Sequence, residues 1–435
     1  VNWFPKHFKS GRFAKSVEAA PDWCISRSRY WGSPVPVWEC TCGNRIVIGS
    51  LGELQELSGV KIVDLHKPEI DEVTIPCDKC GEKARRVPEV LDSWIEAGSA
   101  AFAERHYPFE KDMTLEEFFP PDFIIEYTGQ IRAWFYVLHV IATALLDTHA
   151  FKNVVVTGVI LGTDGRKMSK NYGNYPDPKE IITKYGGDAL RLYLMGSPVM
   201  HGEDIQISEL EYRAQVRGLL LILWNVYNFF ITYAQIDNWE PIQKSTDSFK
   251  PANKLDQWIL SRTHSTIAEI TKAFEGFDTP RTIEIAWSFI NRDLSTWYVR
   301  RIRDRVGPTV AAGRDKDDAY QTLWYVLTVT CKILAPLIPF ITEEMYRNLT
   351  GEESVHLTQF PESESVYIDK DLELKMVHLR EIVEKGHAQR KLNTLKVRQP
   401  LQKVTVKNVH YDLADVADIL CDELNVKECV FEKGE

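Results

Sequence analysis

The fold prediction starts from residues 153–171, which read NVVVTGVILGTDGRKMSKN. The valine-rich run from Asn153 to Leu161 predicts a buried strand, because strands of parallel sheets carry nearly continuous apolar side chains. A turn with two glycines leads from it into a loop with Lys167, Ser169 and Lys170. Ligands bind at the carboxyl ends of strands in open α/β sheets, and lysine holds phosphate as a point charge. The stretch therefore predicts a phosphate-binding loop, and the alternative is a solvated surface turn.

The segments around this loop alternate between strand and helix signals. Residues 123–126 predict a short strand, and residues 129–146 predict a helix. Two further helices are predicted after the loop, over residues 178–185 and 188–195. Strand, helix, strand, glycine loop and helix in this order are typical of a parallel α/β sheet.

The character of the chain changes after Ser208. Apolar residues recur with a helical period from Glu209 to Leu349, which predicts a helix bundle. The period is broken near Trp239–Lys250 and near Gly307–Asp318.

A small α/β module is predicted at the end of the chain, where a charged helix from Leu372 precedes β-like runs at 404–406 and 428–431. The expected fold class is thus α/β plus all-α. The expected segments are 1–38, 39–88, 89–207, 208–350, a linker at 351–370, and 371–435.

The composition is that of an ordinary globular protein, with 44% hydrophobic and 26% charged residues. The formal net charge is −10, so contacts with RNA must come from local basic patches. The most apolar stretch, Gly218 to Ala234, is shorter than a membrane span and predicts a buried helix. No signal-peptide pattern opens the chain, so a cytoplasmic protein with no membrane partner is expected. The first residue is Val1, which suggests a processed, truncated or split protein.

Four of the eight cysteines form two close pairs, Cys40 with Cys42 and Cys77 with Cys80, and each pair is followed by glycine. Paired cysteines in a reducing cytosol indicate a metal site more than a disulfide framework. Four thiolates would form a closed tetrahedral site, so the pattern predicts a structural zinc ribbon within residues 39–88. The alternative is four unligated thiols.

The lysine loop resembles the K-M-S-K-S loop of class I aminoacyl-tRNA synthetases. The resemblance implies that Lys167 and Lys170 stabilise the pyrophosphate leaving group while an aminoacyl-adenylate forms. It also implies that Met168, Ser169 and Lys170 help to bind ATP, which enters with Mg²⁺ as a substrate. Asn171 stands where the family has serine.

Residues 123–135, FIIEYTGQIRAWF, resemble the isoleucyl-tRNA synthetase segment E-G-x-D-Q-x-R-G-W-F. The resemblance implies that Glu126 and Gln130 bind the isoleucyl-adenylate and that Trp134 lines the isoleucine pocket. Three positions depart from the family pattern: Tyr127 replaces glycine, Gly129 replaces aspartate and Ala133 replaces glycine. The change at Gly129 removes a carboxylate that the family uses near its substrate.

Residues 91–99, LDSWIEAGS, resemble the family's D-V-W-F-D-S-G-S, which implies that Trp94 forms a second wall of the amino-acid pocket. Residues 22–38 match a run that is shared by isoleucyl, valyl and leucyl enzymes. In that run Arg27 and Arg29 are either contacts to the tRNA acceptor end or structural residues.

Residues 293–305 resemble a string of the isoleucyl anticodon-binding domain, which implies tRNA contacts. The candidate residues are Arg300, Arg301, Arg303 and Arg305. Ile302 and Asp304 depart from the family string, and a salt-bridged helix face is the alternative.

The motifs occur in one order over nearly the whole chain, and together they resemble an isoleucyl-tRNA synthetase. The resemblance implies the second half of a Rossmann catalytic domain with a zinc-ribbon insertion, then a helix-bundle anticodon-binding domain and a junction module. Isoleucine, ATP and tRNA(Ile) are the implied substrates. No H-I-G-H-like sequence and no editing domain occur, so we expect the chain to need an N-terminal half for activity. The alternatives are a portion of a valyl-tRNA synthetase and a non-catalytic tRNA-binding protein.

Overall fold

The computed structural model describes residues 1–110, 112–241 and 249–433. These residues form two compact units. The first unit contains Val1–Val159 and His201–Asp204, and the second contains Ile160–Met200 and Ile205–Glu435.

The first unit contains nine strands and six α-helices among its described residues. The strands are β1 (Asn2–Phe4), β2 (Ser26–Arg27), β3 (Val37–Glu39), β4 (Arg45–Val47), β5 (Thr74–Pro76), β6 (Lys83–Arg86), β7 (Val90–Leu91), β8 (Phe123–Tyr127) and β9 (Asn153–Thr157). The helices are α1 (Lys15–Glu18), α2 (Leu51–Ser58), α3 (Ser93–Gly98), α4 (Ala100–Ala103), α5 (Leu115–Phe118) and α6 (Trp134–Leu146).

A parallel three-stranded sheet with the order β1-β9-β8 forms the centre of this unit. The central strand β9 buries Val154, Val155 and Val156, as expected for a parallel strand between two neighbours. The core continues through Trp3 on β1 and Phe135 on α6. The predicted strands and their parallel arrangement at residues 123–126 and 153–157 are confirmed.

The single strand predicted over 153–161 is wrong, because the chain divides into β9 and a second strand, β10 (Ile160–Leu161). β10 belongs to the second unit and pairs in parallel with β11 (Ile205–Gln206). The break falls at Gly158, where a Cβ atom would lie 1.9 Å from the carbonyl oxygen of Glu203. The apolar run continues through this bend, so periodicity alone could not reveal it.

The predicted helix over 129–146 begins later than expected. A 3₁₀ turn covers Thr128–Arg132, and α6 starts at Trp134. Ala133 separates them with φ −126° and ψ −101°, outside the helical region.

A separate antiparallel sheet with the order β4-β3-β6-β5 lies within residues 37–86. Trp38 is buried in its core, and the indole nitrogen donates to the carbonyl oxygen of Val73 at 2.8 Å. The two cysteine pairs lie in the turns between β3 and β4 and between β5 and β6.

The second unit is mostly helical among its described residues. Its helices are α7 (Pro178–Tyr185), α8 (Gly187–Met195), α9 (Glu209–Gln215), α10 (Leu221–Ile236), α11 (Lys254–Glu275), α12 (Thr279–Ser288), α13 (Arg300–Ile302), α14 (Arg314–Leu334), α15 (Pro339–Thr350), α16 (Lys370–Leu392) and α17 (Ala417–Leu424). π-helical stretches at Val216–Leu220 and Phe289–Val299 link α9 to α10 and α12 to α13. The strands are β10, β11, β12 (Leu401–Val409) and β13 (Val426–Lys433).

The predicted helix bundle is confirmed, with one continuous core that extends from Ala189 to Leu424. The predicted break near Gly307–Asp318 is shorter than expected, since α14 already begins at Arg314. Of the break predicted near Trp239–Lys250, residues 242–248 lie outside the described part of the chain. The predicted terminal module is confirmed as α16, α17 and the parallel pair β12 and β13.

Asp188 caps the N-terminus of α15, a helix that is distant in sequence. Its own helix, α8, begins at Gly187 without a side-chain cap. The Asp188 carboxylate instead accepts the backbone N–H groups of Phe340 and Ile341, at 3.2 and 2.8 Å, in the first turn of α15. Burial raises the pKa of this carboxyl above its usual value.

Two helical stretches of the described chain, Thr128–Leu146 and Glu209–Ile236, are long and apolar enough to cross a membrane. The second is longer than the run 218–234 that the sequence suggested. Their apolar residues pack in the two protein cores: Phe135, Leu138 and Ile141 in the first, and Leu223, Val226 and Phe230 in the second. Of the two apolar windows, 28% and 39% of the residues are buried inside the protein.

Candidate functional site

The lysine loop follows β10 and folds back on it. Leu161 and Lys167 form an antiparallel bridge, and the N–H group of Gly162 donates to the carbonyl oxygen of Arg166 at 2.7 Å. Gly165 allows the tight turn with φ +76°, in the left-handed region that favours glycine. The predicted loop is thus a short hairpin that projects from the end of a strand.

Asn174 holds the base of this hairpin, and the sequence analysis missed it. The buried side chain of Asn174 accepts from the N–H group of Ser169 at 3.0 Å. It donates to the carboxylate of Asp164 at 2.8 Å and to the carbonyl oxygen of Lys167 at 3.3 Å. The amide of Asn174 and the N–H group of Arg166 lower the pKa of Asp164. An amide shortly after the lysines, in a loop rich in glycine and asparagine, is the signal that could have indicated this role.

The side chains of the two lysines are exposed to solvent. Lys167 and Lys170 are exposed, whereas Met168 and Ser169 between them are half-buried. Within the described residues, no carboxylate lies within salt-bridge distance of either ammonium group. The hairpin therefore offers two uncompensated positive charges to an anionic ligand.

Glu126 and Gln130 flank the end of β8 in the first unit. Both are half-buried, and the Glu126 carboxylate accepts from the N–H group of Tyr127 at 3.0 Å. The side-chain oxygen of Gln130 accepts from the N–H group of Trp134 at 3.1 Å, at the first residue of α6. Gln130 therefore also satisfies the first backbone N–H group of α6, which the sequence did not indicate.

Trp94 and Trp134 lie on two helices that pack closely together. The indole nitrogen of Trp134 donates to the carbonyl oxygen of Ala97 at 2.9 Å, which ties α6 to α3. At Gly98 a Cβ atom would lie 2.6 Å from the side chain of Ile141, so glycine permits this contact. Trp94 remains 38% exposed, which leaves its ring available for a ligand.

Tyr127 and Gly129, two of the residues that depart from the family pattern, are close together in the structure. A Cβ atom built on Gly129 would lie only 2.4 to 2.7 Å from the ring and hydroxyl of Tyr127. The tyrosine ring thus occupies the space in which any side chain at position 129 would begin. In this conformation the Tyr127 ring and a side chain at position 129 would compete for the same space at the end of β8.

Arg27 pairs with an internal carboxylate, which favours the structural alternative for it, whereas Arg29 is exposed. The guanidinium of Arg27 donates to the buried Asp92 carboxylate, which also accepts from the indole of Trp23 at 2.9 Å. Burial opposes ionisation of Asp92, but Trp23 and Arg27 outweigh it and hold the pKa below its usual value. Asp92 in turn accepts from the N–H group of Trp94 at 3.3 Å, so this network positions α3.

The four paired cysteines converge. Their sulfur atoms all lie within 4.8 Å of one another, with 3.4 Å between Cys40 and Cys80 and 3.7 Å between Cys42 and Cys77. Sulfur atoms in a tetrahedral zinc site with Zn–S bonds of about 2.3 Å are roughly 3.8 Å apart, so the set has the size of such a site.

Each cysteine pair lies in a turn that a glycine N–H group closes, from Cys40 to Gly43 in the first pair and from Cys77 to Gly81, one residue longer, in the second. The N–H group of Gly43 donates to the carbonyl oxygen of Cys40, and that of Gly81 donates to the carbonyl oxygen of Cys77, both at 2.8 Å. Both glycines have positive φ, at +81° and +77°. The shorter Cys40–Cys42 spacing therefore gives a turn one residue tighter than that of Cys77–Cys80, and the sulfur atoms of both pairs still converge.

The cysteine thiols of the cluster oppose one another's ionisation because their sulfur atoms lie close together. Burial opposes ionisation of Cys77, but backbone N–H groups of Lys79 and Cys80 and nearby side chains lower its pKa to about 6. The backbone of Glu82 favours the Cys80 thiolate, but the neighbouring sulfurs oppose a second charge and raise its pKa to about 12. A divalent cation would remove this conflict.

Three of the four arginines predicted to bind tRNA already have internal partners. Arg300 and Arg301 bind the buried carboxylate of Glu423, at 2.5 and 2.6 Å. Arg305 binds the fully buried Asp256 through two hydrogen bonds, at 2.9 and 2.6 Å. These contacts join the helix end to α17 and α11, which favours the salt-bridged alternative for these three.

Arg300 and Arg303 are both exposed, but Arg303 differs from the other three arginines in its partners. Its guanidinium lies 5.9 Å from the ring of Phe229, and within the described residues no carboxylate lies within salt-bridge distance of it. It is the member of the group that remains available to RNA.

Two family profiles match consecutive parts of the chain. The family described as "tRNA synthetases class I (I, L, M and V)" matches residues 1–208. The family described as "Anticodon-binding domain of tRNA ligase" matches residues 256–405.

Curated relatives match over the full chain. An isoleucine–tRNA ligase of Treponema denticola is 43% identical over 100% of this chain and 41% of its own length. An isoleucine–tRNA ligase of Chlamydia trachomatis serovar D is 46% identical over 99% of this chain and 42% of its own length. The chain thus spans about two fifths of the length of these relatives.

Two solved structures share the fold at low sequence identity. The ternary complex of Agrobacterium radiobacter K84 agnB2 LeuRS with tRNA and LeuAMS has a TM-score of 0.59 at 20% identity, over 80% of this chain and 44% of that chain. Mycobacterium tuberculosis methionyl-tRNA synthetase in complex with methionyl-adenylate has a TM-score of 0.50 at 17% identity, over 63% of this chain and 52% of that chain.

Proposed function

The chain belongs to the class I tRNA synthetases, as its motifs indicated, and from this premise we propose that it is a portion of an isoleucine–tRNA ligase. The proposed reaction joins isoleucine to ATP as isoleucyl-adenylate, releases pyrophosphate, and transfers the isoleucyl group to tRNA(Ile). Identity above 40% to isoleucine–tRNA ligases supports isoleucine over other amino acids of this class.

The observation that carries the proposal is the lysine hairpin. Two exposed ammonium groups that have no carboxylate partner among the described residues, on a loop braced by Asn174, suit the binding of a triphosphate. In the proposed step Lys167 and Lys170 stabilise the charge that grows on the departing pyrophosphate, while Ser169 and Met168 shape the ATP site. Catalysis then rests on positioning and electrostatic stabilisation, and no side chain needs to act as a nucleophile.

The amino-acid site is proposed at the end of β8. Glu126 would bind the isoleucine ammonium, Gln130 would orient the adenylate, and the indoles of Trp94 and Trp134 would enclose the aliphatic side chain. These elements, together with β1 and β9, would be the second half of a Rossmann catalytic domain. The cysteine cluster would hold a structural Zn²⁺ in a ribbon inserted into that domain, and the sulfur spacing supports this assignment.

Contact with tRNA is proposed for the helical unit, with Arg303 as its available cation at the α13 end. Arg300, Arg301 and Arg305 would then mainly hold the helices that carry it, through Glu423 and Asp256. ATP, isoleucine and tRNA are the proposed partners, and a cytoplasmic location accords with this role.

A further protein segment is proposed to complete the ATP site. No H-I-G-H-like sequence occurs in the 435 residues. Moreover, the edge strand β8 exposes Phe123, Ile125 and Tyr127 on one face. Parallel sheets are normally covered on both faces, so this apolar face suits another segment of the synthetase.

Pyrophosphate exchange tests the proposed function directly. We expect the chain, combined with the further segments that its relatives carry, to exchange pyrophosphate into ATP when isoleucine is present. Valine should support exchange about 10- to 200-fold less efficiently, because one methylene contributes only about 1–3 kcal/mol of discrimination. The 435-residue chain alone should give no exchange.

Two outcomes would contradict this proposal. Isoleucine-dependent exchange by the chain alone would show that no further segment is needed. A preference for valine in the completed enzyme would replace the proposed substrate.

The pair Tyr127 and Gly129 supplies a second test. Gly129→Asp alone brings a Cβ atom against the tyrosine ring, so we expect about tenfold weaker isoleucine-dependent exchange in the completed enzyme. Adding Tyr127→Gly removes the ring and should restore most of the activity, which a double-mutant cycle of kcat/KM measures. Adding Tyr127→Phe keeps the ring and serves as the matched control, with no restoration. Purely additive effects would show that the two positions are independent.

A further inference from the structure

The helix α3, which carries Trp94, is only six residues long. Isolated helices shorter than about 12–15 residues are marginal in water, so contacts from outside must fix the position of α3. Two side-chain ties from the run at 22–38 reach this helix, one at its start and one in its middle. We name them the Asp92 tie and the Glu96 tie.

The Asp92 tie fixes the residue before α3. The buried Asp92 carboxylate accepts from the indole of Trp23 at 2.9 Å and from the guanidinium of Arg27, both on the same oxygen. Its other oxygen accepts from the N–H group of Trp94 at 3.3 Å, and its backbone N–H group donates to the carbonyl oxygen of Ile25 at 2.8 Å. Both carboxylate oxygens and the backbone of this residue are thereby bound, so α3 starts from a fixed point.

The Glu96 tie holds α3 on the side roughly opposite to Trp94. One carboxylate oxygen of Glu96 accepts from the N–H group and the hydroxyl of Ser33, at 3.1 and 2.5 Å. At 3.6 residues per turn, residues two positions apart lie roughly 200° apart around a helix. This tie therefore restrains rotation of α3 and leaves the indole face free, which agrees with the 38% exposure of Trp94.

A third contact links α3 to the other tryptophan proposed for the amino-acid site. The indole nitrogen of Trp134 on α6 donates to the carbonyl oxygen of Ala97 at 2.9 Å. The separation of the two indoles therefore depends on where α3 lies. A gap of about 0.5–1 Å forfeits about a quarter to a half of the dispersion energy between two atoms. Because isoleucine exceeds valine by one methylene, discrimination between them is sensitive to displacements of that size.

We propose that the Asp92 tie and the Glu96 tie position Trp94 in the amino-acid site and thereby set the discrimination between isoleucine and valine. The residues of the run at 22–38 that form these ties are then positioning residues, which act on the substrate only through α3. The inference rests on the proposed function, because it requires that the two indoles enclose the side chain of isoleucine.

Pyrophosphate exchange in the completed enzyme tests this inference through two conservative variants. Trp23→Phe removes one donor of the Asp92 tie but keeps an aromatic ring. Ser33→Ala removes the hydroxyl donor of the Glu96 tie. Each should lower the ratio of kcat/KM for isoleucine to that for valine about three- to tenfold, with a higher KM for isoleucine, as expected for the loss of one hydrogen bond. The KM for ATP should stay within about twofold, because the lysine hairpin is unchanged.

Further variants separate positioning from a general structural effect. Ser33→Thr keeps the hydroxyl and should retain the discrimination of the unchanged enzyme. In a Trp94→Ala background the indole wall is absent, so adding Trp23→Phe should change the isoleucine-to-valine ratio by less than about twofold. Ser28→Ala, at an exposed serine of the same run, is the matched control and should leave all of these parameters unchanged.

The inference is overturned if both Trp23→Phe and Ser33→Ala discriminate as well as the unchanged enzyme. It is also overturned if the effect of Trp23→Phe is equally large in the Trp94→Ala background, or if the KM for ATP rises as much as that for isoleucine. Failure of the proposed function has a different signature, since the unchanged completed enzyme would then show no isoleucine-dependent exchange at all.

Discussion

Replacing Lys170 with alanine should reduce isoleucine-dependent pyrophosphate exchange about 100- to 1,000-fold in the completed enzyme, the size typical for the loss of one preorganised charge-stabilising group. The ammonium group of Lys170 is exposed and pairs with no carboxylate in the part of the chain that the structure describes, so its positive charge is available to the departing pyrophosphate. The loss should appear mainly in kcat, because the charge to be stabilised develops in the transition state. Affinity for tRNA should change little.

Two matched variants separate catalysis from general effects of charge. Lys179→Ala removes another exposed ammonium group at the start of α7 and should leave exchange nearly unchanged. Asn174→Ala removes the brace of the hairpin while both lysines remain, and should impair exchange less than Lys170→Ala. Full exchange activity in the Lys170→Ala enzyme would refute the catalytic assignment of the hairpin.

Removing zinc should unfold the four-stranded sheet at residues 37–86. A structural zinc site contributes on the order of 10 kcal/mol to the folding of small zinc-binding peptides, and the proposed Zn²⁺ would hold the two cysteine turns of this sheet together. We expect one zinc ion per purified chain by elemental analysis. A strong chelator or the substitution Cys77→Ser should remove it and abolish amide protection in this sheet, as hydrogen exchange measures.

Cys24→Ser is the control for the metal site, because this exposed thiol lies in the same unit but outside the cluster. It should retain zinc and leave hydrogen exchange in the sheet unchanged. A chain that is fully folded and contains no metal would contradict the prediction. So would a Cys77→Ser chain with normal protection of β3 and β6.

The local elements were predictable because each has a short-range signal. The valine run at 153–157, the apolar helical period after Glu209 and the terminal helix with its two strands all appear in the fold. The limits of these elements were less predictable. Gly158 divides the valine run because Glu203, 45 residues later, approaches its backbone. A sequence pattern carries no information about such an approach.

The roles of single residues were likewise predictable only where they depend on neighbours in the sequence. Two lysines beside a glycine turn could be identified as a phosphate-binding candidate from the sequence, but their brace at Asn174 could not. The four arginines at 300–305 formed an equally clear basic pattern. Their charges are nevertheless used differently, since the partner of Arg301 is Glu423, 122 residues away, while Arg303 stays exposed.

Short-range patterns sufficed to identify the α/β and helical regions, the lysine loop and the paired cysteines, because each of these features is formed by residues that are neighbours in the sequence. The motifs together also sufficed to identify the class of synthetase. Folding alone decided which arginines are neutralised, that Tyr127 fills the space beside Gly129, and that Ser33 donates to Glu96. These features depend on distances between side chains that the backbone path brings together. Charge, space and solvent access at each of them are therefore properties of the folded chain.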